Sequence, residues 1–223
     1  MIKVLKNQGY HLLWYVVIGT FLVAVVGQFP ERYNRFWGLS AFEWIAVSWI
    51  LAGVHQAYIT FLARLELYLG KIRAWFGRAG FPIFKVGFYL LGPARLATVI
   101  PISLATVNTL PLPRSVSVAL IVVSAPFILW TFYSFIFYFG LHRAACADHF
   151  DPAYRTGAME KRGIFRFLSN PGYCFGILII YHAGLLWQSS LGLVAAAAHH
   201  AFIWCAYYSF ERPDMKEIYG PNV

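Results

Sequence analysis

The chain is poor in charge. Only nine of its 223 residues are Asp or Glu, and charged residues of both signs make up 12%, where a soluble domain carries about 25%. So little polar surface cannot cover a water-soluble sphere, and a soluble globular domain is excluded. Disorder is excluded as well, since hydrophobic residues reach 60% and unfolded segments are low in them. The net charge of +9 does not point to nucleic acid, because the basic residues sit in clusters between long apolar runs. Cysteine is scarce too. Cys146, Cys174 and Cys205 lie far apart with no CxxC pair, and read as small apolar residues in a reduced setting.

Several signatures of soluble chemistry are also missing. There is no GxGxxG, no P-loop and no GxSxG elbow, so the dinucleotide, nucleotide and hydrolase sites those motifs build are not expected. His199 and His200 are adjacent, so on a helix they point about 100° apart and do not chelate one ion as an i, i+4 pair would. His11, His55 and His182 are single histidines within or beside apolar stretches and read as core or interface residues. No metal site is expected.

What the chain has is long apolar runs. About 20 residues cross the roughly 30 Å hydrocarbon core of a bilayer, and six spans can be drawn: Tyr10–Phe29, Ala41–Leu62, Val86–Asn108, Ser115–Phe139, Pro171–Trp187 and Leu191–Phe210. The expected fold is all-α, a polytopic integral membrane protein in one domain, with amino-terminal transmembrane helices over 1–114 and a distinct core over 115–223. Tyr10–Phe29 is too long for a signal peptide and no small-x-small cleavage site ends it. The basic segment Ala63–Lys85 reads as a helix lying in the membrane interface. A polar turn is expected at Pro30–Arg35, and Gln188-Ser189-Ser190 makes the last two spans a tight helical hairpin. Gly172, Gly176 and Gly184 are expected on one face of that hairpin, with Ala195–Ala198 opposite, since small faces let helices approach closely.

Lys and Arg orient the spans. With the amino terminus in the cytoplasm, the inner loops and tails collect fourteen of them and the outer loops three, so both termini are expected inside. That places three polar stretches, Gly140–Tyr154, Arg166–Tyr173 and Phe210–Gly220, on the cytoplasmic side. The hairpin returns Phe210 to the depth of Tyr173, so the three are expected to wall one pocket open to water and lipid.

Two of these stretches carry motifs. Ser169-Asn170-Pro171-Gly172-Tyr173 is followed about forty residues later by Phe210-Glu211-Arg212-Pro213-Asp214-Met215-Lys216-Glu217-Ile218-Tyr219-Gly220. Together they resemble the carboxy-terminal signature of membrane-embedded S-adenosylmethionine-dependent methyltransferases, the isoprenylcysteine carboxyl methyltransferase and phospholipid methyltransferase type. The phosphatidylethanolamine N-methyltransferases, with Asn-Pro-Met-Tyr and then Glu-Glu-Pro-x-x-x-Glu-Ile-Tyr, are nearest. Upstream, Gly140 and Asp148-His149-Phe150 resemble that family's glycine segment ending in Asp-Tyr-Phe. The resemblance covers roughly Gly140–Gly220. The chain departs from it at Arg143, where the family has a second glycine, and at Arg212, where it has a second acid. Ser169-Asn170 likewise stands where the isoprenylcysteine enzymes have Arg-His.

The resemblance implies a SAM-dependent methyltransferase acting on a membrane lipid, first of all the amine of phosphatidylethanolamine, within a bacterial inner membrane or the endoplasmic reticulum. The cofactor would enter from the cytosol and the lipid sideways from the bilayer. It implies Gly140, His142, Asn170, Pro171, Gly172, Tyr173 and Glu211 at the cofactor, and His149, Asp148 and Tyr173 at the chemistry. The residue types suit those roles. Glu211 can accept from two ribose hydroxyls, and an acid at the membrane edge is a functional candidate by default; its plain alternative is pairing with Arg212 or Lys216. Pro171 can open a helix whose free N–H groups near Gly172 and Tyr173 take a carboxylate, with Asn170 as its cap. Gly140 reads as a helix C-cap or as room for an adenosine. His149 can accept an amine proton near neutral pH, Asp148 can favour a cation, and both can equally be solvated loop. Tyr173 can stabilise cationic charge with its ring face or serve as an interfacial aromatic.

Other acceptors remain open, a prenylated cysteine carboxylate or a small thiol among them. So do a membrane reductase using NADPH, for which Arg162 and Arg166 are a thin arginine cluster, and a non-catalytic scaffold or transporter, for which Arg95 beside Gly92-Pro93 would be the deep charge.

Overall fold

A computed structural model describes residues 2–28, 35–155 and 159–220. Among these the chain is helical with no β-strand. Five helical stretches are long and apolar enough to cross a bilayer: Lys3–Val26, Ala41–Leu69, Lys71–Ala105, Arg114–Phe139 and Ser190–Tyr219, with a shorter apolar one at Pro171–Leu186. These are the six apolar segments read from the sequence, with shifted ends. The principal helices are α1 (Gln8–Val26), α2 (Ala41–Leu69), α3 (Gly80–Ala97), α4 (Val99–Ala105), α5 (Arg114–Ser134), α6 (Ile179–Leu186), α7 (Ser190–Ala206) and α8 (Arg212–Tyr219). Most of the expected turn Pro30–Arg35 lies outside the described residues.

Local chemistry sets the boundaries. α2 opens on a capping box, in which the Glu43 carboxylate accepts from the Ser40 N–H at 2.6 Å and Ser40 Oγ accepts from the Glu43 N–H at 3.3 Å, satisfying donors that a helix start leaves free. It continues seven residues beyond the expected Leu62 and stops at Gly70, whose φ of 60° ends it in the left-handed region that glycine enters at least cost. The single interfacial helix expected over Ala63–Lys85 is therefore divided: its first turns complete α2, Lys71–Phe76 forms a short helix, and the rest opens α3.

α7 is the centre of the bundle. It packs on α6, α1 and α4, and its Ala195, Ala196, Ala198 and Phe202 join Ile18, Leu22, Ala52 and Ile102 in one buried core. The outer faces carry exposed Leu12, Leu13, Val122, Val123, Leu129 and Phe137, the surface that a lipid solvent requires.

The hairpin forms at the expected turn. Ser189 donates its N–H to the Gly184 carbonyl at 2.7 Å, and its Oγ accepts from the Gly192 N–H at 2.8 Å. The small faces are arranged differently from the expectation. A Cβ on Gly184 would lie 2.8 Å from the Leu193 nitrogen, so this glycine does meet the returning helix. Gly172 and Gly176 instead face Phe135 and Thr131 of the segment before them. The reason is a 3₁₀ turn at Gly176–Leu178 that breaks the outgoing helix and rotates its first part away. The outgoing stretch Pro171–Leu186 then reaches only about 24 Å at 1.5 Å per residue, short of a full crossing.

Candidate functional site

α7 does not end cleanly. Its last turns widen into a π-helical segment at Tyr207–Glu211 before α8 begins, and Arg114–Ser134 does the same at Phe135–Phe139 before Gly140. Single π turns of this kind re-aim side chains and occur often at functional sites. Here they place Glu211 and Gly140 at the ends of two neighbouring apolar segments.

Tyr173 donates its hydroxyl hydrogen to Glu211 Oε2. The two motifs thus meet through their central residues, although 38 positions separate them in the chain. Around Tyr173 stand the rings of Trp204 and Tyr207, 5.8 and 6.0 Å away and nearly perpendicular to it, and 5.6 Å from each other at 87°. Three mutually perpendicular rings present π faces in several directions, each attractive to a cation. The Tyr173 carbonyl accepts from His200 Nε2 at 2.7 Å, which anchors the outgoing helix to the returning one.

Asp148 and His149 occupy a different setting from an open loop. Asp148 is 5% exposed, His149 1% and Asp214 0%. His149 Nδ1 faces Asp148 Oδ1 at 3.1 Å and Nε2 faces Asp214 Oδ2 at 3.3 Å. Asp214 is also gripped by Arg64, whose Nε lies 3.1 and 3.0 Å from its two oxygens and whose Nη2 lies 3.0 Å from Oδ1. Tyr219 donates to Asp148 Oδ2 at 3.1 Å, and Arg143 donates to the Tyr219 oxygen at 3.1 Å.

Burial alone would lower the His149 pKa, but hydrogen bonds to Asp148 and Asp214 outweigh it and raise the value. For Asp148 burial pushes upward, and the hydrogen bonds from His149 and Tyr219 reverse it to a net lowering. Each buried acid of this network is therefore matched: Asp214 by Arg64, Asp148 by a protonated His149. Glu211 differs. Its hydrogen-bond partner is a neutral phenol, and no ion pair joins it among the described residues; Arg212 and Lys216, its plain alternatives, are exposed.

Gly140 adopts φ 86° and ψ 134°, with open space where a side chain would begin. It lines a cavity of about 380 Å³ with Phe139, Leu141, His142, Arg143 and Tyr154, within the size range of small-molecule sites. Its N–H bonds the Phe135 carbonyl at 2.9 Å, closing the π turn. His142 is exposed at the rim, 3.4 Å from Lys85 Nζ. Pro171 does open a short helix, but the Asn170 side chain makes no cap bond there. The Tyr173 N–H, expected free, is taken by the Asn170 carbonyl at 3.1 Å, because the chain closes a tight turn rather than a regular helix end.

The structure thus joins Tyr173 to Glu211 and Asp148 to His149, and puts Gly140 and His142 on one cavity wall. Arg64, Trp204, Tyr207, Asp214 and Tyr219 were not among the expected site residues. Asp214 and Tyr219 lie within the quoted motif, so their signal was present. Arg64 had none: it sat in the basic segment read as lying in the membrane interface, yet it is fully buried.

Comparison with known proteins covers the same region. The phospholipid methyltransferase family model matches residues 113–222. A phosphatidylethanolamine N-methyltransferase of Fusarium vanettenii is 32% identical over 96 residues, 43% of this chain and 10% of the relative. The chain therefore spans about a tenth of that relative's length. No solved structure matches. The match begins at Pro113, one residue before α5, and contains both π turns, the hairpin and the Tyr173–Glu211 contact. Residues 113–222, just under half of the chain, are thus similar to the phospholipid methyltransferase family.

Proposed function

We propose that this chain is an integral-membrane methyltransferase that moves a methyl group from S-adenosylmethionine to the amine of a phosphatidylethanolamine-like lipid. The observation that carries the reading is Glu211: a carboxylate with no cationic partner among the described residues, held by Tyr173 beside the rings of Trp204 and Tyr207. An unmatched acid among π faces suits a ligand that brings hydroxyls and positive charge.

The residues present fit the cofactor. Glu211 would accept from its ribose hydroxyls, Asn170, Pro171 and Gly172 would border its amino-acid end, and the cavity at Gly140 and His142 has room for its nucleoside. When bound, S-adenosylmethionine supplies an electrophilic methyl on a sulfonium. Tyr173, Trp204 and Tyr207 would steady cationic charge on donor and acceptor alike, and the rigid hairpin would hold the reacting partners in line. We assign Asp148 and His149 to fixing the pocket wall rather than to moving the amine proton, because both imidazole nitrogens face carboxylates. The charge asymmetry of the loops supports a site and both termini on the cytoplasmic side.

The reading is tested on purified protein in detergent. A ligand that binds only the folded state raises thermal stability, so S-adenosylmethionine should raise Tm and NADPH should not. Incubation with phosphatidylethanolamine vesicles and the cofactor should then add one to three methyl groups by lipid mass spectrometry. Stabilisation by NADPH alone would turn the assignment toward a reductase.

A further inference from the structure

α1, α2 and α3, outside the family match, together with α7 within it, bury a second polar cluster that the methyl-transfer site does not use. Arg95 of α3 is 1% exposed, and its Nε and Nη2 have no hydrogen-bond partner. Its Nη1 lies 3.4 Å from His55 Nδ1, and its guanidinium lies 5.7 Å over the Phe202 ring of α7. His11 packs against the same ring, centroids 5.0 Å apart. His199 lies 6.2 Å from Trp49, itself 5.2 Å from Phe202. Unpartnered nitrogens recur throughout: both of His11, Nε2 of His55 and Nδ1 of His199.

The hydrogen bonds that are made fix what the unmade ones offer. Arginine only donates, so His55 Nδ1 accepts and the neutral ring carries its proton on Nε2. Ser48 Oγ lies 2.7 Å from His199 Nε2 and 2.6 Å from Thr98 Oγ1. Thr98 Oγ1 also meets the Arg95 carbonyl, which only accepts and so takes the single Thr98 hydrogen. Ser48 then donates to Thr98 and accepts from His199 Nε2–H, leaving Nδ1 of the neutral ring an acceptor. The free atoms of Arg95 and His55 are then all donors. Nε and Nη2 of Arg95 form one edge of the guanidinium, the fork that matches two oxygens of a phosphate or carboxylate. No Asp or Glu pairs with Arg95 among the described residues. A buried cation left in that state costs several kcal/mol.

We propose that Arg95, with His55, forms a buried oxyanion site that binds the anionic group of a ligand reaching Tyr173. The proposal rests on the methyltransferase reading for the ligand's identity. Phe202, 5.7 Å from the Arg95 guanidinium, and Trp204, 5.8 Å from the Tyr173 ring, are two residues apart on α7, so the cluster and Tyr173 lie at nearby levels of that helix. Two sources share the chemistry, the phosphodiester of the acceptor lipid and the carboxylate of the cofactor.

The test compares wild type with Arg95→Gln in detergent, by thermal shift with phosphatidylethanolamine, with diacylglycerol, which lacks the phosphate, and with S-adenosylmethionine. Wild type should be stabilised by phosphatidylethanolamine and not by diacylglycerol. Loss of a charged hydrogen-bonding partner should weaken the affected ligand about 10- to 100-fold. If Arg95→Gln loses the phosphatidylethanolamine response and keeps that of the cofactor, the oxyanion is the lipid phosphate; the reverse pattern makes it the cofactor carboxylate. Unchanged affinity for both overturns the site. Should Arg95→Gln not fold, His55→Leu removes the Nε2 donor and leaves the guanidinium, and unchanged affinity there overturns it equally. An Arg95-dependent shift without any methylated product would retain the oxyanion site and remove the enzymatic reading.

Discussion

Arg64 and Asp214 form a fully buried ion pair at 3.0 Å that joins α2 to α8 across 150 positions of sequence. The same guanidinium donates from Nη1 to the Lys6 carbonyl at 2.6 Å and from Nη2 to the Ser209 carbonyl at 3.1 Å. One side chain outside the family match thus ties the amino terminus and the π turn of the matched region together. Removing one partner of such a pair leaves an uncompensated charge and costs about 3–5 kcal/mol. Arg64→Met should lower Tm sharply in detergent. Arg64→Met with Asp214→Leu should recover part of the loss, and a double variant less stable than both singles would show that the pair is not the unit of stability.

The acid–imidazole pair gives the protein a pH window. Asp148 is depressed below its ordinary 3.8, so its contribution is present above about that pH and is lost as pH falls through the lower folded value. His149 is raised above 6.5, so its contribution is complete below 6.5 and is lost as pH rises through the folded value. Stability from this network is greatest between the two and declines on the alkaline side. Tm measured from pH 5 to pH 9 should fall above pH 6.5, and His149→Gln should flatten that alkaline slope. An equal slope in the variant would assign the decline to other groups.

The positions of the apolar segments were legible because apolar length and loop charge are local properties, and so was the hairpin, whose turn Gln188-Ser189-Ser190 is three residues long. The Tyr173–Glu211 meeting was legible for the same reason: a hairpin returns its ends to one depth. Its surroundings were not. The π turn at Tyr207–Glu211 re-aims Glu211 relative to Trp204 of the helix before it, and no periodicity announces an i+5 bond. Arg64 was read by its neighbours' pattern of Lys, Arg and aromatic residues as an interfacial residue, whereas its acid lies 150 positions away. Asp148 and His149 look solvated in a polar stretch and become buried because Tyr219 and Asp214 of α8 satisfy them, with Arg64 of α2 behind Asp214.

Helix approach in the hairpin depends on missing side chains. A Cβ on Gly184 would stand 2.8 Å from the Leu193 nitrogen and 2.6 Å from its Cδ2. The Leu193 side chain can turn, but the backbone can move only by parting α6 from α7. Overpacking of this kind costs about 1–3 kcal/mol. Gly184→Ala should therefore lower Tm and also weaken S-adenosylmethionine binding, since the hairpin sets the spacing of Tyr173 and Glu211. Gly140→Ala is the contrast. Open space surrounds that position, but its φ of 86° strains any side chain, so the loss there should come from the backbone and be smaller than about 2 kcal/mol. A Gly184→Ala protein as stable as wild type would mean that the two helices separate freely.

Tyr173 and Glu211 make separable contributions. Tyr173→Phe keeps the ring and its π face while removing the hydroxyl that donates to Glu211. A hydrogen bond to a charged group contributes about 1.5–3 kcal/mol, and its loss should weaken cofactor affinity about 10- to 100-fold while leaving some turnover at saturating cofactor. Glu211→Gln keeps the shape and removes the charge, so both ribose contacts weaken and binding should be lost at concentrations that saturate wild type. Tyr173→Leu removes ring and hydroxyl together; by the cation–π argument it should lower the rate at saturation as well as the affinity. Isothermal titration with S-adenosylmethionine and rates at saturating cofactor resolve the three. Equal affinity in wild type and Glu211→Gln would detach the carboxylate from the cofactor, and an equal saturated rate in Tyr173→Phe and Tyr173→Leu would leave the ring face without a part in the reaction.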